Sequence, residues 1–173
     1  ILSTSNEEIT KFTFEASKNI GNISYDIDGY IKGSTIYCFL PEGVDMKNLV
    51  ASYTTEYPVV KVNGNIQENG VSANDFTGTL KYELGTKSYE VKVIKSNIPV
   101  IQIETDGKQV IDSKEVYQNA SMKINGSTKY STGLYDGRIQ IRGRGNSTWT
   151  LDKKPYRIKL DSKSDILGMG SAK

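Results

Sequence analysis

The sequence predicts an all-β chain in two parts, and three observations carry that reading. Alternation of apolar residues at every second position dominates the patterning of the 173 residues, which is the period of a half-buried strand, and no segment of twelve residues carries a helical 3.6-residue stripe. Turn residues punctuate these runs at short intervals, Asn63-Gly64 most clearly, because both central positions of a type I′ hairpin turn need positive φ. The charge also changes sign along the chain. Residues 1–97 hold 9 lysines and 12 carboxylates, net −3, whereas residues 98–173 hold 13 basic and 8 acidic side chains, net +5. The first two observations give the class and the third hints at a domain division.

Taken in order, "ITKFTFEA" alternates through Phe12 and Phe14. "SYDIDGYIKGSTIYCFLP" supplies Tyr25, Ile27, Ile36, Cys38 and Leu40 around expected turns at Asp28-Gly29 and Lys32-Gly33-Ser34. "LVASYTT" follows, then the Asn63-Gly64 hairpin, then two strands of "TGTLKYELGTKSYEVKVIKS" around Leu84–Ser88. Roughly seven short strands with frequent turns fit an immunoglobulin-like β-sandwich over residues 1–96, one without the Cys–Trp–Cys signature. "KSNIPV" reads as the joint, since Pro99 cannot donate to a ladder and restrains Ile98. Beyond it, "VIQIETDGKQV" with a turn at Asp106-Gly107, "EVYQNASMKING", "GRIQIRGRG" and "KKPYRIKLD" predict a second antiparallel β region over 97–173.

Composition excludes several chemistries. The chain has no histidine, which removes Ser-His-Asp and Cys-His nucleophiles and every His-dependent zinc site. Cys38 is the only cysteine; it has no internal disulfide partner and is expected in the core. No apolar run approaches the length of a membrane span. The opening "ILSTSNEEITKF" has neither a basic nor an apolar leader region, so no signal peptide is expected in it. Asn22, Asn119, Asn125 and Asn146 each open an Asn-X-Ser/Thr triplet, a glycan acceptor only in a eukaryotic secretory route.

The chemistry worth weighing is concentrated in "IRGRGNSTWTLDKKPYRIKL", Ile141 to Leu160; within 138–163 eight basic residues face two acidic ones. Three readings compete. Gly143 and Gly145 would let backbone amides approach a phosphate between Arg142 and Arg144, with Lys154 and Arg157 beyond, much as a kinase glycine loop and strand lysine hold ATP. A nucleic-acid surface would use the same cations with Trp149 and Tyr156 as stacking platforms. The third reading is a twisted hairpin with a solvated charged face and Trp149 capping the core. Strand alternation sends Arg157 and Lys159 to one face and Tyr156, Ile158 and Leu160 to the other.

"IRGRGNSTW", then "KKPYRIKL", then "ILGM" resembles the opening of the CotH kinase family, the spore-coat-H-like atypical protein kinases. The lead-in "IPVIQIETDGKQVIDSKEVYQNASMKING" is similar to that family's first strands, so the resemblance spans about 98–173. Residues 1–97 more loosely resemble the Ig-like modules that precede such domains in bacterial secreted or surface proteins. The resemblance implies that 97–173 is the N-terminal β portion of a CotH-like domain. It also implies that Lys154 and Arg157 match basic positions engaged with ATP phosphates; together with Arg142 and Arg144 from the glycine-loop reading they are the candidate phosphate contacts. The family's magnesium-binding and catalytic acidic residues follow this motif, and none is matched before "GMGSAK". The expectation is therefore a non-catalytic region that needs no cofactor or metal itself, ATP and Mg²⁺ belonging to a longer parent. An extracellular or cell-surface location is implied, with a protein or glycan partner and no nucleic acid. The alternative from another class is a surface adhesion or carbohydrate-binding module in which the sandwich does the work.

Overall fold

The computed structural model describes residues 6–125 and 134–172; Gly126, the end of the "KING" stretch, and Lys173 lie outside them. The fold is all-β: every regular element among the described residues is a strand or a short 3₁₀ turn. The chain divides into two compact units, Ile1–Asn97 and Ile98–Lys173.

In the first unit, β1 (Ile9–Phe14) pairs on one side with β2 (Ile27–Asp28). The chain then passes Gly29 into β3 (Tyr30–Lys32), which belongs to another sheet and forms a hairpin with β4 (Thr35–Pro41). Asp28-Gly29 is thus not a turn, as expected from sequence, but the point where one extended segment switches sheets. Glycine is needed there for space: a Cβ on Gly29 would fall 2.8 Å from Ile36 Cγ2 and 3.0 Å from Cys38 Sγ. The Gly29 amide is satisfied by the Phe12 carbonyl at 2.7 Å.

"LVASYTT" also divides. β5 (Leu49–Val50) and β6 (Ser52–Thr55) flank the buried Ala51, and β6 pairs with the free edge of β1. β7 (Lys61–Val62) and β8 (Asn65–Ile66) form the expected hairpin, with φ of 51° at Asn63 and 78° at Gly64 as a type I′ turn demands. β9 (Ala73–Asn74) pairs with β5. β10 (Leu80–Leu84) and β11 (Lys87–Ser96) form a hairpin over Gly85-Thr86.

The result is a sandwich of a three-stranded sheet, β2-β1-β6, and a six-stranded sheet, β3-β4-β11-β10-β7-β8. One pairing in it is parallel, β4 with β11, from Thr35↔Glu90 to Pro41↔Ser96. Between the sheets lie Phe12 and Phe14 from one side and Ile36, Cys38, Tyr82, Leu84 and Val91 from the other, all buried. Phe12 meets Tyr82 edge-on at 5.3 Å, and Phe14 meets Phe76 at 5.0 Å, the edge-to-face geometry that aromatic quadrupoles favour. Burial raises the Cys38 thiol well above its ordinary pKa, with Asp28 adding to the effect, so Cys38 is an inert packing residue.

Three asparagines tie irregular segments to the backbone by accepting and donating at the same residue. Asn19 donates to the carbonyls of Glu15 and Val50 and accepts from the Val50 amide, each at 2.9 Å. Asn69 bonds the amide and carbonyl of Tyr53, and Asn22 those of Asp45. Each side-chain amide thus completes part of a ladder where no strand neighbour does. Asn22, one of the four triplet asparagines, is committed to structure in this way. Because Asn19 is buried, Asn19→Ala would orphan both groups of Val50, and chemical denaturation is expected to show a loss of about 2 kcal/mol. Asn19→Asp is expected to be worse, since a carboxylate would face two carbonyl oxygens.

The second unit is a four-stranded antiparallel meander: β12 (Val100–Thr105), β13 (Gln118–Asn125), β14 (Asp136–Gly143) and β15 (Tyr156–Leu160), in that spatial order. Its register separates two faces. Ala120, Met122, Ile124, Ile139, Ile141 and Leu160 are buried on one, under Ile111, Leu134, Tyr135, Ile166 and Leu167. Ile166 and Leu167 come from the "ILGM" motif, held between β16 (Ser164–Asp165) and β17 (Ser171–Ala172). The opposite face carries Ser121, Arg138, Gln140, Arg142, Lys159 and Arg157. There Arg138 makes a two-pronged pair with Asp106, at 2.8 and 2.6 Å.

Candidate functional site

The basic run folds as β14, a long connection over 144–155 containing a 3₁₀ turn (Ser147–Thr150), and β15. Its glycines have definite neighbours. A Cβ on Gly143 would strike the Trp149 ring, at 2.6 Å from Cζ3 and 2.8 Å from Cζ2. The indole therefore lies directly on the Gly143 backbone, and Tyr156 meets it edge-on at 6.1 Å. The Gly143 amide donates to Ser113 at 2.7 Å. Gly145 has φ of 87°, and a Cβ there would collide with Thr148 Oγ1 and come within 3.1 Å of Pro155. Arg144 closes the base of the connection, its amide donating to the Pro155 carbonyl at 3.0 Å. Both glycines are thus occupied by contacts within the connection.

The structure brings together only part of the candidate set. Arg142 and Arg157 are direct cross-strand partners, with Lys159 next along β15, so these three cations share the polar face of the sheet. Like charges directly opposite are unfavourable, and the third participant is Tyr117. Its ring lies 5.0 Å from the Arg142 guanidinium carbon. A hydrogen bond from Arg142, with Arg157, Arg142 and Lys159 as neighbouring positive charges, holds the Tyr117 phenol below its usual pKa. Arg142 is further anchored by donating to the Lys114 carbonyl, while its Nε is buried with no hydrogen-bond partner among the described residues.

Lys154 stands elsewhere. Its ammonium donates to the Trp149 carbonyl at 3.2 Å and lies 4.8 Å from the indole centroid, a cation–π contact. A side chain at Gly143 would point to the same face as Ile141 and Tyr156, so Trp149 and Lys154 sit on the face opposite Arg142 and Arg157. Arg144 is exposed in the connection. The four candidates do not converge on one point. Among the described residues none of the four pairs with a carboxylate, and no group of three or more acidic or cysteine side chains is placed to hold a metal ion. No helix among the described residues is long and apolar enough to cross a membrane.

Tyr117 was not legible as part of this cluster; its only signal is an aromatic just ahead of the "QNASMKI" strand, and register alone reveals the cations around it. The phenols of Tyr53, Tyr82 and Tyr135 are raised, chiefly by burial. Tyr117 is therefore expected to ionise before those three as pH rises. Its depressed pKa contributes stability only in the alkaline range where the phenolate forms, and nothing near neutrality, where the phenol is protonated folded or unfolded. Difference absorbance during alkaline titration should lose, in Tyr117→Phe, a phenolate step that precedes those of Tyr53, Tyr82 and Tyr135; an unchanged titration curve would place the cations away from this ring.

No protein-family model matches the chain, and a search of the curated proteins finds no match.

Proposed function

We propose that this chain is a non-catalytic N-terminal region of a bacterial surface or secreted protein of the CotH kinase family, with a protein or glycan at the cell surface as its partner. The basic run is then a packed strand pair that displays cations, with no nucleotide cradle. The observation that carries the non-catalytic part of this reading is the seat of Trp149 on Gly143. The backbone surface a phosphate would have to approach is covered by an indole, and Lys154 is held against that indole on the face opposite Arg142 and Arg157. Phosphoryl transfer depends on converging positive groups and a bound metal around the transferred group, and the split of the four cations offers no such convergence.

The test is incubation of the chain with Mg²⁺-ATP and generic protein substrates. Transfer is expected to stay at the level of a blank. Reproducible transfer, abolished by Lys154→Ala or by Arg157→Ala, would overturn the reading.

A further inference from the structure

The outer face of the three-stranded sheet carries a cleft of about 410 Å³, within the size range of small-ligand sites. Its floor is the solvent side of β1 and β6, where Lys11, Thr13, Ser52 and Thr54 project away from the aromatic core. Its walls are the 3₁₀ turn at Ala16–Lys18, with Glu15 and Asp26, and the segment at Asn69-Gly70. These walls are built. Asp26 accepts from the Ala16 amide at 2.8 Å, Asn69 is bonded to both backbone groups of Tyr53, and Gly70 donates to the Ala51 carbonyl at 3.1 Å. A Cβ at Gly70 would lie 3.2 Å from Ser52 Oγ and 3.6 Å from Lys18 Cε, so glycine (φ 71°) keeps this side of the cleft open.

We infer that this cleft binds a neutral saccharide, of a size filling roughly one or two sugar rings. The lining decides the class. Hydroxyls on the floor make it a poor seat for an apolar ligand, which gains nothing from polar surface. An anion would face Glu15 and Asp26, and a cation would face Lys11 and Lys18. Sugar hydroxyls both donate and accept, so one ring can donate to the carboxylates and accept from the ammonium groups, and bonds to charged partners are the stronger kind. Tyr53, the aromatic at the cleft, turns its ring into the core, where it meets Tyr82 at 5.8 Å. Recognition is therefore polar, without ring stacking, and the affinity is millimolar, as expected of an open site in which water competes for every bond. The inference deepens the surface-partner reading by naming a glycan. It rests on the first unit alone, so its failure and a positive phosphotransfer result are distinguishable.

The experiment is an amide-resolved NMR titration of the whole chain with glucose, galactose and N-acetylglucosamine, using glycine and inorganic phosphate as zwitterionic and anionic controls. At least one sugar is expected to shift the amides of Lys11, Thr13, Ser52 and Thr54 saturably, with neither control doing so. Two variants keep the fold while changing the cleft. Asp26→Asn retains an oxygen for the Ala16 amide, and Lys18→Met retains the stem beside Gly70; each is expected to weaken binding about tenfold. The inference is overturned by no saturable shift with any sugar up to tens of millimolar, by shifts confined to other surfaces, by preference for glycine or phosphate, or by variants that bind as the parent does.

Discussion

Tyr82→Ala is expected to lower the stability of the first unit by about 3–5 kcal/mol, the range for deleting a buried large aromatic. Tyr82 is the hub of the sandwich core: it meets Phe12 at 5.3 Å and Tyr53 at 5.8 Å edge-on, and stacks on Phe76 at 6.5 Å. It is 1% exposed, so the cavity left behind would be closed to water and lined by rings that had lost their edge contacts. For a unit of this size the loss corresponds to a midpoint lower by about 15–30 °C. Far-UV circular dichroism would follow it, while Trp149, which lies in the second unit, serves as the internal reference. Tyr82→Phe should cost only about 1 kcal/mol, the bond with Asn74 being its main loss. Near-equal losses for the two variants would mean that the hydroxyl, and not the ring cluster, holds this core.

Gly143→Val is the second large effect. Valine suits a strand, so propensity alone predicts no harm; the contact geometry predicts the reverse, because the added carbons would occupy the seat of Trp149. A loss of about 2–3 kcal/mol in the second unit is expected, as for an overpacked core. Trp149 is the only tryptophan in the chain, so its emission reports the site without labelling. It should shift to the red and become more open to a soluble quencher. Gly145→Ala acts by a different route, a side chain forced to φ of 87° against Thr148 and Pro155, and about 1–2 kcal/mol is expected. Unchanged emission in Gly143→Val would show that the indole does not rest on that glycine.

Local features were legible from sequence, and long-range ones were not. Asn63-Gly64 announces its own turn because the required φ signs restrict the residues that fit. The alternation of Arg157 and Lys159 against Tyr156, Ile158 and Leu160 is a property of any strand. Period-2 patterning, however, does not name a strand's neighbour or direction, so the parallel pairing of β4 with β11 left no trace in it. Asp28-Gly29 misled for a related reason: a glycine required for close approach to Ile36 and Cys38 reads the same as one required for a turn. The candidate site shows the same limit. The clustering of cations was visible, but whether Gly143 and Gly145 open toward a ligand or toward Trp149 and Thr148 depends on where the 144–155 connection folds. That is a tertiary fact.

The most direct measurement is a paired calorimetric titration with Mg²⁺-ATP and with pyrophosphate, at low and at high salt, with Trp149 emission recorded in parallel. If the basic run is a packed strand pair with Arg142, Arg157 and Lys159 displayed on one face, both anions should bind equally and weakly. Affinity should be in the high-micromolar range or weaker, and should collapse as salt rises, because exposed charges are screened over roughly 8 Å at physiological ionic strength. Trp149 emission should stay constant throughout. Clear preference for ATP over pyrophosphate, persisting in salt and accompanied by a change in Trp149 emission, would contradict the account and mark the connection as a nucleotide pocket.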